Sequence, residues 1–472
     1  MEYNIYGDVM EKKNLFRSLL SIDEYSKLFI SKYGKISTGK NINECLRFAV
    51  DDIKKKISSG LITATIEPNH IIKAAKSLLL EKYNTEINPV INATGTIIHT
   101  NLGRSLISEN IAKKAMQAAT EYVDLEMNLF TGKRNHRGVQ IATVIKELFD
   151  VEDALIVNNN AAAILLILST FSKDKSVIIS RGEEVEIGGS FRIPDVMKSS
   201  GCKLIEVGTT NKTYIKDYED AIDENTSLIM KIHTSNFKVV GFTHETDLKE
   251  LNILCKKHSI PLVYDLGSGC IYDFANYFRI DEPFINSHII KNTDIITFSG
   301  DKLLGSCQAG IIIGKHSYIE KLRKNPMYRA LRVDKITMSI LLETFKLYRN
   351  IDVAKKEIPT LSMLTESYES LYEKVNFIFN AIRDNFNCKI IDSFSTCGGG
   401  AMPTLKIKSP VLSITHPYVS VNELANKLRN NKIPVLARIQ NDTLIIDVRT
   451  VKNNHIEKII NVLNNLELID NE

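Results

Sequence analysis

The sequence of 472 residues lacks paired cysteines, long apolar runs and a strong excess of one charge. Its seven cysteines are scattered without a C-x-x-C pair, which argues against a disulfide framework and a structural zinc site. We therefore predict no metal site and a reducing, cytoplasmic location. The longest apolar run, residues 161–168, is far shorter than the roughly 20 residues of a membrane-spanning helix. The N-terminus has no basic stretch followed by an apolar one, so no secretory signal is predicted.

The composition is that of a globular protein with several domains. The chain carries 60 Lys+Arg and 56 Asp+Glu, a net charge of +4, which neither indicates nor opposes a polyanionic partner. With 44% hydrophobic residues it can build a large core, and the length allows about two to four domains. No repeat and no low-complexity tract is present.

The pattern of apolar residues changes along the chain. The first ninety or so residues predict amphipathic helices, for example at 51–57 and 71–80. From about residue 90, short apolar segments alternate with stretches of helical length, which predicts an open α/β sheet of buried parallel strands with helices on both faces. After helices interrupted by Pro359, a smaller α/β unit follows. The predicted strands of the first sheet are 154–157, 176–179, 203–207, 228–232, 261–264 and 294–298, and those of the smaller unit are 411–414, 435–439 and 444–448.

A lysine follows one of these strands among small residues. Lys302 lies in the sequence Thr-Phe-Ser-Gly-Asp-Lys-Leu-Leu-Gly, residues 297–305, directly after a predicted buried strand. Small neighbours allow another molecule to approach the amine, as a Schiff-base enzyme requires. The alternative is an ordinary surface lysine in a turn. We favour the catalytic interpretation because other parts of such a site are also present.

Those other parts match the needs of pyridoxal 5'-phosphate, which requires an anion at its pyridinium nitrogen and a cradle for its phosphate. Asp265 ends a predicted strand and suits the first role. A turn from strand to helix offers backbone N–H groups for the phosphate, although simple N-capping explains its asparagines equally well. Ser299 is a candidate for a further phosphate contact, and His233 for ring stacking or proton donation, a packed histidine being the alternative. The turn residues are Asn158, Asn159, Asn160 and Ala161.

Two loops carry arginines. Arg104 ends a segment rich in turn-forming and small residues, while Arg329 and Arg332 lie three apart in the segment 325–335. At that spacing on a helix both guanidinium groups share one face, which would suit a tetrahedral oxyanion. Surface salt bridges are the alternative interpretation.

Taken in order, these segments resemble the bacterial selenocysteine synthase family, the L-seryl-tRNA(Sec) selenium transferases. The family's Gly-Pro-Gln after the lysine is replaced here by Ser306-Cys307-Gln308, which leaves the lysine intact and allows a different turn. The resembling segments are 91–104, 122–137, 158–163, 233–243, 265–269, 299–314, 325–335, 395–403 and 434–451.

The resemblance implies a fold type I, aspartate aminotransferase-like α/β core with a helical N-terminal domain and a small α/β C-terminal domain. It also implies a homodecamer built from dimers. The domain boundaries we expect are 1–66 for a tRNA-binding domain, 67–89 for a helical linker, 90–350 for the cofactor-binding large domain and 351–472 for the small domain.

The resemblance further implies an activity. The family converts L-seryl-tRNA(Sec) to L-selenocysteinyl-tRNA(Sec) with selenophosphate, through an aminoacrylyl-tRNA intermediate bound to pyridoxal phosphate. Lys302 would hold the cofactor and act as general base, and Asp265 would stabilise the electron sink. Arg104, Arg329 and Arg332 match the family's oxyanion-binding positions.

Two other functions compete with this one. The first is a pyridoxal phosphate-dependent lyase for a small molecule, of the amino-sugar acid phosphate ammonia-lyase type. Such enzymes usually lack a helical N-terminal extension, so residues 1–88 favour the tRNA-dependent enzyme. The second is an RNA-binding scaffold with a vestigial cofactor pocket, against which the intact Lys302 and Asp265 argue.

Overall fold

The computed structural model describes residues 13–34, 37–83, 87–187, 191–279 and 282–466. The chain divides into two compact units, 1–89 and 90–472. In the described part of the chain, no helix has the length and apolarity needed to cross a membrane.

The first unit is helical. Its helices include α1 (Ile22–Tyr33), α2 (Gly39–Ser58) and α3 (Pro68–Tyr83). Ser21 begins α1 with a capping box, in which its hydroxyl accepts from the Glu24 N–H and the Glu24 carboxylate accepts from the Ser21 N–H. The three helices bury one shared core, which includes Tyr25, Phe29, Leu46, Ile71 and Leu79. The amphipathic helices predicted here are confirmed.

The second unit contains two main sheets and the helices that pack on them. The strands are β1 (Ile91–Ala93), β2 (Asp153–Val157), β3 (Ser176–Ser180), β4 (Glu186–Ile187), β5 (Phe191–Arg192), β6 (Lys203–Val207), β7 (Thr226–Ile232), β8 (Leu262–Gly267), β9 (Ile295–Ser299), β10 (Gly310–Gly314), β11 (Asn387–Ser395), β12 (Ile407–Thr415), β13 (Val435–Gln440) and β14 (Thr443–Asp447). The helices are α4 (Glu109–Thr120), α5 (Val139–Phe149), α6 (Asn160–Phe171), α7 (Ile193–Ser199), α8 (Ile215–Ala221), α9 (Leu248–His258), α10 (Ser287–Lys291), α11 (His316–Lys324), α12 (Pro326–Leu331), α13 (Lys335–Leu347), α14 (Ile351–Glu357), α15 (Pro359–Thr365), α16 (Tyr368–Ile382), α17 (Val421–Arg429) and α18 (Ile456–Asn464).

The large sheet has the strand order β2-β10-β9-β8-β7-β3-β6. All six strands predicted for it are present, and helices α6 to α9 lie where helices were predicted. The prediction of a wholly parallel sheet is wrong in one respect, because β10 runs antiparallel to both β2 and β9. This strand is only five residues long and follows β9 after the loop 300–309, so no crossover helix precedes it.

Both faces of the large sheet are buried, as expected for an α/β sheet. The carboxyl ends of the parallel strands β7, β8 and β9 meet at one edge. This edge carries His233, Asp265 and Ser299, and a ligand site is expected there in such folds.

The C-terminal part is built on a five-stranded sheet of order β1-β13-β14-β12-β11. The predicted strands correspond to β12, β13 and β14, and Pro359 begins α15 at the first helical position, where its missing N–H costs nothing. Strands β1 and β11 were not predicted. The N-terminal strand β1 adds to the edge of this sheet by pairing parallel with β13.

A buried carboxylate ties this sheet together. Asp447 is fully buried and accepts hydrogen bonds from Ser395 (2.8 Å), Ser409 (3.1 Å) and the Arg438 guanidinium (2.9 Å). Gly95 lies directly against it with φ of +77°, and a Cβ there would stand 2.1 Å from Asp447 Oδ2. The close packing of β1's continuation on the sheet therefore requires glycine at this position.

We predict that Asp447→Ala lowers the free energy of unfolding by about 3–5 kcal/mol, because it leaves the largely buried Arg438 charge without its partner. The measurement is the shift of the urea unfolding midpoint. Asp392→Ala is the control, because Asp392 pairs with Lys408 at the exposed surface of the same sheet and its loss should change the midpoint little. Equal effects of the two substitutions would contradict the prediction.

Candidate active site

Asp265 is the buried anion of the strand edge. The residue is 4% exposed, and its carboxylate accepts hydrogen bonds from Asn160 Nδ2 (2.8 Å) and Thr297 Oγ1 (3.1 Å). Burial raises the pKa of Asp265, while the hydrogen bond from Asn160 and the charge of Lys302 oppose that rise. The carboxylate thus lies in a dry environment that favours a cationic partner.

Lys302 lies on the turn after β9 and is also 4% exposed. Burial lowers the pKa of Lys302, and the nearby Arg104 charge lowers it further, whereas the Asp265 carboxylate raises it. The amine is therefore a stronger candidate for a nucleophile or base near neutral pH than a surface lysine.

The turn that carries Lys302 is held by its own backbone. Gly300 N–H donates to Ala309 O (2.9 Å), and Ser306 N–H donates to Gly300 O (2.9 Å). A Cβ at Gly300 would stand 2.5 Å from the Cys307 carbonyl oxygen, so the reversal needs a residue without a side chain here. With Ser306 and Cys307 in this loop, β10 pairs antiparallel with β9.

The segment before α4 also contacts this turn. Ser105 Oγ donates to the Lys302 carbonyl oxygen (2.6 Å), and Arg104 Nη1 pairs with Asp301 Oδ2 (2.8 Å). Arg104 has a left-handed backbone with φ of 64°. The structure therefore brings Arg104 next to Lys302, with Asp301 fixing its guanidinium.

The asparagine turn leads from β2 into α6. Asn159 caps the helix by accepting from the Ala162 N–H (2.8 Å), as the capping interpretation requires. Asn160 turns its amide to Asp265, and its Oδ1 is buried with no hydrogen-bond partner among the described residues. The first N–H groups of α6, including that of Ala161, have no acceptor within the helix, as at any helix N-terminus.

His233 follows β7 and joins the edge through its backbone, whose N–H donates to Asp265 O (2.9 Å). Its Nε2 lies 3.5 Å from Glu282 Oε1, and neither atom has a hydrogen bond within the described residues. The two side chains line a cavity of about 680 Å³ together with Tyr264. Stacking of His233 on a cofactor stays a prediction, as does the contact of the buried Ser299 with a phosphate.

The two remaining arginines do not share a helix, so the prediction that they lie on one helical face is wrong. Helix α12 ends at Leu331, and Arg332 has an extended backbone with ψ of 143°. The reason is that Asp334 caps the next helix, α13, by accepting from two N–H groups. Arg329 is exposed on α12, while Arg332 is half-buried and lies 3.5 Å from Glu126.

Several side chains at the site were not predicted. Thr297 was predictable, because it lies two residues before Ser299 on β9 and alternate strand residues face the same side of a sheet. Asp301 lies in the loop after β9, where strand alternation predicts nothing. Ser105 and Glu282 come from other segments and carry no local pattern. In the described part of the chain, no three His, Cys, Asp or Glu side chains are grouped to hold a metal ion.

Comparison with known proteins identifies the family. Residues 90–452 match the family model "SelA: L-seryl-tRNA selenium transferase". The chain is 42% identical over 464 residues to the L-seryl-tRNA(Sec) selenium transferase of Alkaliphilus oremlandii, covering 96% of this chain and 99% of that protein. The chain belongs to the L-seryl-tRNA selenium transferase family. A family member from Clostridium botulinum is 40% identical over 446 residues, covering 94% of this chain and 96% of that protein.

The fold type I architecture predicted for this family member is confirmed. The structure of D-glucosaminate-6-phosphate ammonia-lyase superimposes with a TM-score of 0.57 at 16% identity, covering 80% of this chain and 96% of that one. At this identity the likeness concerns the fold alone.

We predict that Asp265→Asn lowers the pKa of Lys302 further, because it removes the carboxylate that favours the ammonium form. Only the neutral amine reacts with trinitrobenzenesulfonate, so the midpoint of the labelling rate at Lys302 should move to lower pH. Labelling of the cofactor-free protein can be followed by peptide mass spectrometry. Asp392→Asn, at an exposed carboxylate, should leave the midpoint in place. A midpoint that stays or rises in Asp265→Asn would refute the electrostatic link.

Proposed function

We propose that this chain is a pyridoxal phosphate-dependent L-seryl-tRNA(Sec) selenium transferase, which converts seryl-tRNA(Sec) and selenophosphate to selenocysteinyl-tRNA(Sec). The observation that carries the proposal is the buried pair of Lys302 and Asp265 in a chain 42% identical to a protein of that name over nearly its whole length. A lysine and a carboxylate buried near one another at the carboxyl edge of such a sheet are typical of a ligand site.

The residues at this edge fit pyridoxal 5'-phosphate. Asp265 would hold the pyridinium nitrogen, Lys302 the aldehyde carbon, and the start of α6 the phosphate, with Asn158 to Ala161 and Ser299 around it. Asn160, whose amide donates to Asp265, keeps a buried and unpartnered Oδ1 among the described residues, which a bound ligand could satisfy. When bound, the cofactor supplies an electron sink for the carbanion formed at the seryl Cα.

The side chains of the site have separate roles in the proposed reaction. The lowered pKa of Lys302 leaves its amine able to take the seryl α-proton and to return a proton later. Asp265, oriented by Asn160 and Thr297, holds a negative charge where a ring cation must be stabilised. Arg104, aligned by Asp301, presents a guanidinium close to Lys302 that can bind the oxyanions of the selenium donor. Arg329 and Arg332 are proposed for the same donor.

The finer features of the family are proposals for this chain. They comprise tRNA binding by residues 1–66, a linker at 67–89, a large domain at 90–350 and a small domain at 351–472. A homodecamer of dimers and a cytoplasmic location complete the proposal. The separate compactness of the unit 1–89 supports a recognition module distinct from the catalytic part.

An ammonia-lyase acting on an amino-sugar acid phosphate is the second candidate. D-glucosaminate-6-phosphate ammonia-lyase has the same fold, so the fold does not distinguish the two candidates. The two candidates differ in product, since the lyase would release ammonia from a small substrate and leave seryl-tRNA unchanged.

We expect wild-type protein incubated with pyridoxal phosphate, seryl-tRNA(Sec) and selenophosphate to yield selenocysteine on the tRNA. Lys302→Ala should form none, because it lacks the amine that moves the proton. Borohydride should attach the cofactor covalently to wild-type protein but not to Lys302→Ala, as read by mass spectrometry. A covalent adduct in the variant would overturn the assignment of Lys302, and ammonia release without selenocysteine would favour the lyase.

Deleting residues 1–89 should leave cofactor binding intact but remove discrimination between seryl-tRNA(Sec) and seryl-tRNA(Ser). The whole unit is removed because Ile71 and Leu79 of α3 belong to its core. The measurement is the ratio of kcat/KM for the two tRNAs, with bound cofactor measured by absorbance. An unchanged ratio would place tRNA recognition in residues 90–472.

A further inference from the structure

Glu126 gathers three arginines around one carboxylate. Its Oε2 pairs with Arg134 Nη2 (2.9 Å), and its Oε1 pairs with Arg137 Nε (3.0 Å) and lies 3.5 Å from Arg332 Nη1. Arg134 is largely exposed, whereas Glu126, Arg137 and Arg332 are each less than one-third exposed. The hydrogen bond from Arg134 is the largest of the influences that lower the pKa of Glu126, so the carboxylate is charged at neutral pH.

The backbone on either side of Arg332 is fixed. The Leu331 carbonyl oxygen accepts from the Asn158 N–H (2.9 Å), which joins this segment to the asparagine turn of the active site. The Val333 carbonyl oxygen accepts from Arg137 Nη1 (2.7 Å). Arg137 therefore connects Glu126 to the segment that carries Arg332, and holds both with one guanidinium.

The contact between Glu126 and Arg332 differs from the other two in length. At 3.5 Å it exceeds the roughly 2.7–2.9 Å of a charge-assisted hydrogen bond, so it orients the guanidinium by charge without a short bond. Three guanidinium groups face a single carboxylate, which leaves an excess of positive charge. Such a group attracts an anion.

A second feature of this region points to a ligand. The Tyr328 hydroxyl, on α12 just before the arginines, is buried and makes no hydrogen bond within the part of the chain that the structure describes. Burial raises the pKa of Tyr328, although the charges of Arg323, Arg137 and Arg332 oppose the rise. The hydroxyl is thus a neutral donor that an incoming oxygen acceptor would satisfy.

We infer that Glu126 is a positioning residue, which with Arg137 holds the Arg332 guanidinium in the orientation that receives the oxyanion of the selenium donor. The inference rests on the proposed function and assigns a task to a carboxylate that does not itself meet the substrate. It explains why a negative side chain lies among residues meant to bind an anion. Without Glu126, the Arg332 guanidinium would keep its charge, but its orientation toward the anion would no longer be fixed.

The test compares Glu126→Gln and Glu126→Asp with wild-type protein in the selenium transfer assay. We expect Glu126→Gln to lower kcat/KM for selenophosphate by about tenfold or more, since misplacing a binding group by about 1 Å can cost a hundredfold. The KM for seryl-tRNA(Sec) should stay about the same as in wild-type protein. The amount of bound cofactor and the unfolding midpoint should not change. Glu126→Asp keeps the charge and should restore part of the loss.

The control is Glu343→Gln. Glu343 lies on α13 and is likewise mostly buried, and its carboxylate accepts hydrogen bonds from Lys114 of α4 and from Lys346. Its substitution should leave kcat/KM for selenophosphate unchanged.

Two results would overturn the inference. One is an unchanged kcat/KM for selenophosphate in Glu126→Gln. The other is a loss shared equally by seryl-tRNA(Sec), cofactor content and unfolding midpoint, which would mean that Glu126 only stabilises the fold. Failure of wild-type protein to make selenocysteinyl-tRNA would instead refute the proposed function, and the wild-type reaction distinguishes the two cases.

Discussion

The burial of one amine and one carboxylate at the same strand edge is the constraint that organises this molecule. Lys302 and Asp265 are each 4% exposed, and each is costly to bury while charged. The surrounding side chains reduce that cost, because Asn160 and Thr297 donate to Asp265. Lys302 lies in the loop 300–309, and this loop is closed by the antiparallel pairing of β10 with β9. The chemistry thus depends on the sheet being complete on both sides of β9.

Much of this arrangement was predictable from the sequence, for a physical reason. Buried parallel strands are continuous apolar runs, and the residues just after neighbouring strands of an α/β sheet lie close together at its carboxyl edge. Asp265, Lys302 and the asparagine turn are therefore predictable at one edge from their places in the chain. The antiparallel β10 was not predicted, since three isoleucines between two glycines give no indication of strand direction. The break after Leu331 was also missed, because it depends on Asp334 capping the following helix and not on the arginine spacing.

The partners of the functional side chains were the hardest part to foresee. Arg104 meets Asp301 across nearly two hundred residues, and Glu126 meets Arg332 across a similar separation. No local pattern encodes such pairs, because they arise only when loops from different parts of the chain fold over the same edge. The resemblance to the family therefore predicts the arginines of this site, but not the carboxylates of Asp301 and Glu126 that orient them.

The stretch from β1 to Ser105 is shared by both halves of the second unit. It pairs with β13 at Ile91, donates backbone hydrogen bonds to Thr396 and Cys397 from Ile97 and Ile98, and ends with the Ser105 hydroxyl on the Lys302 carbonyl. A single segment, residues 91–105, therefore runs from the edge of the five-stranded sheet to the Lys302 loop of the large sheet. A rotation of the smaller sheet would therefore move this segment, and its contact through Ser105 would displace the loop that carries the Lys302 amine.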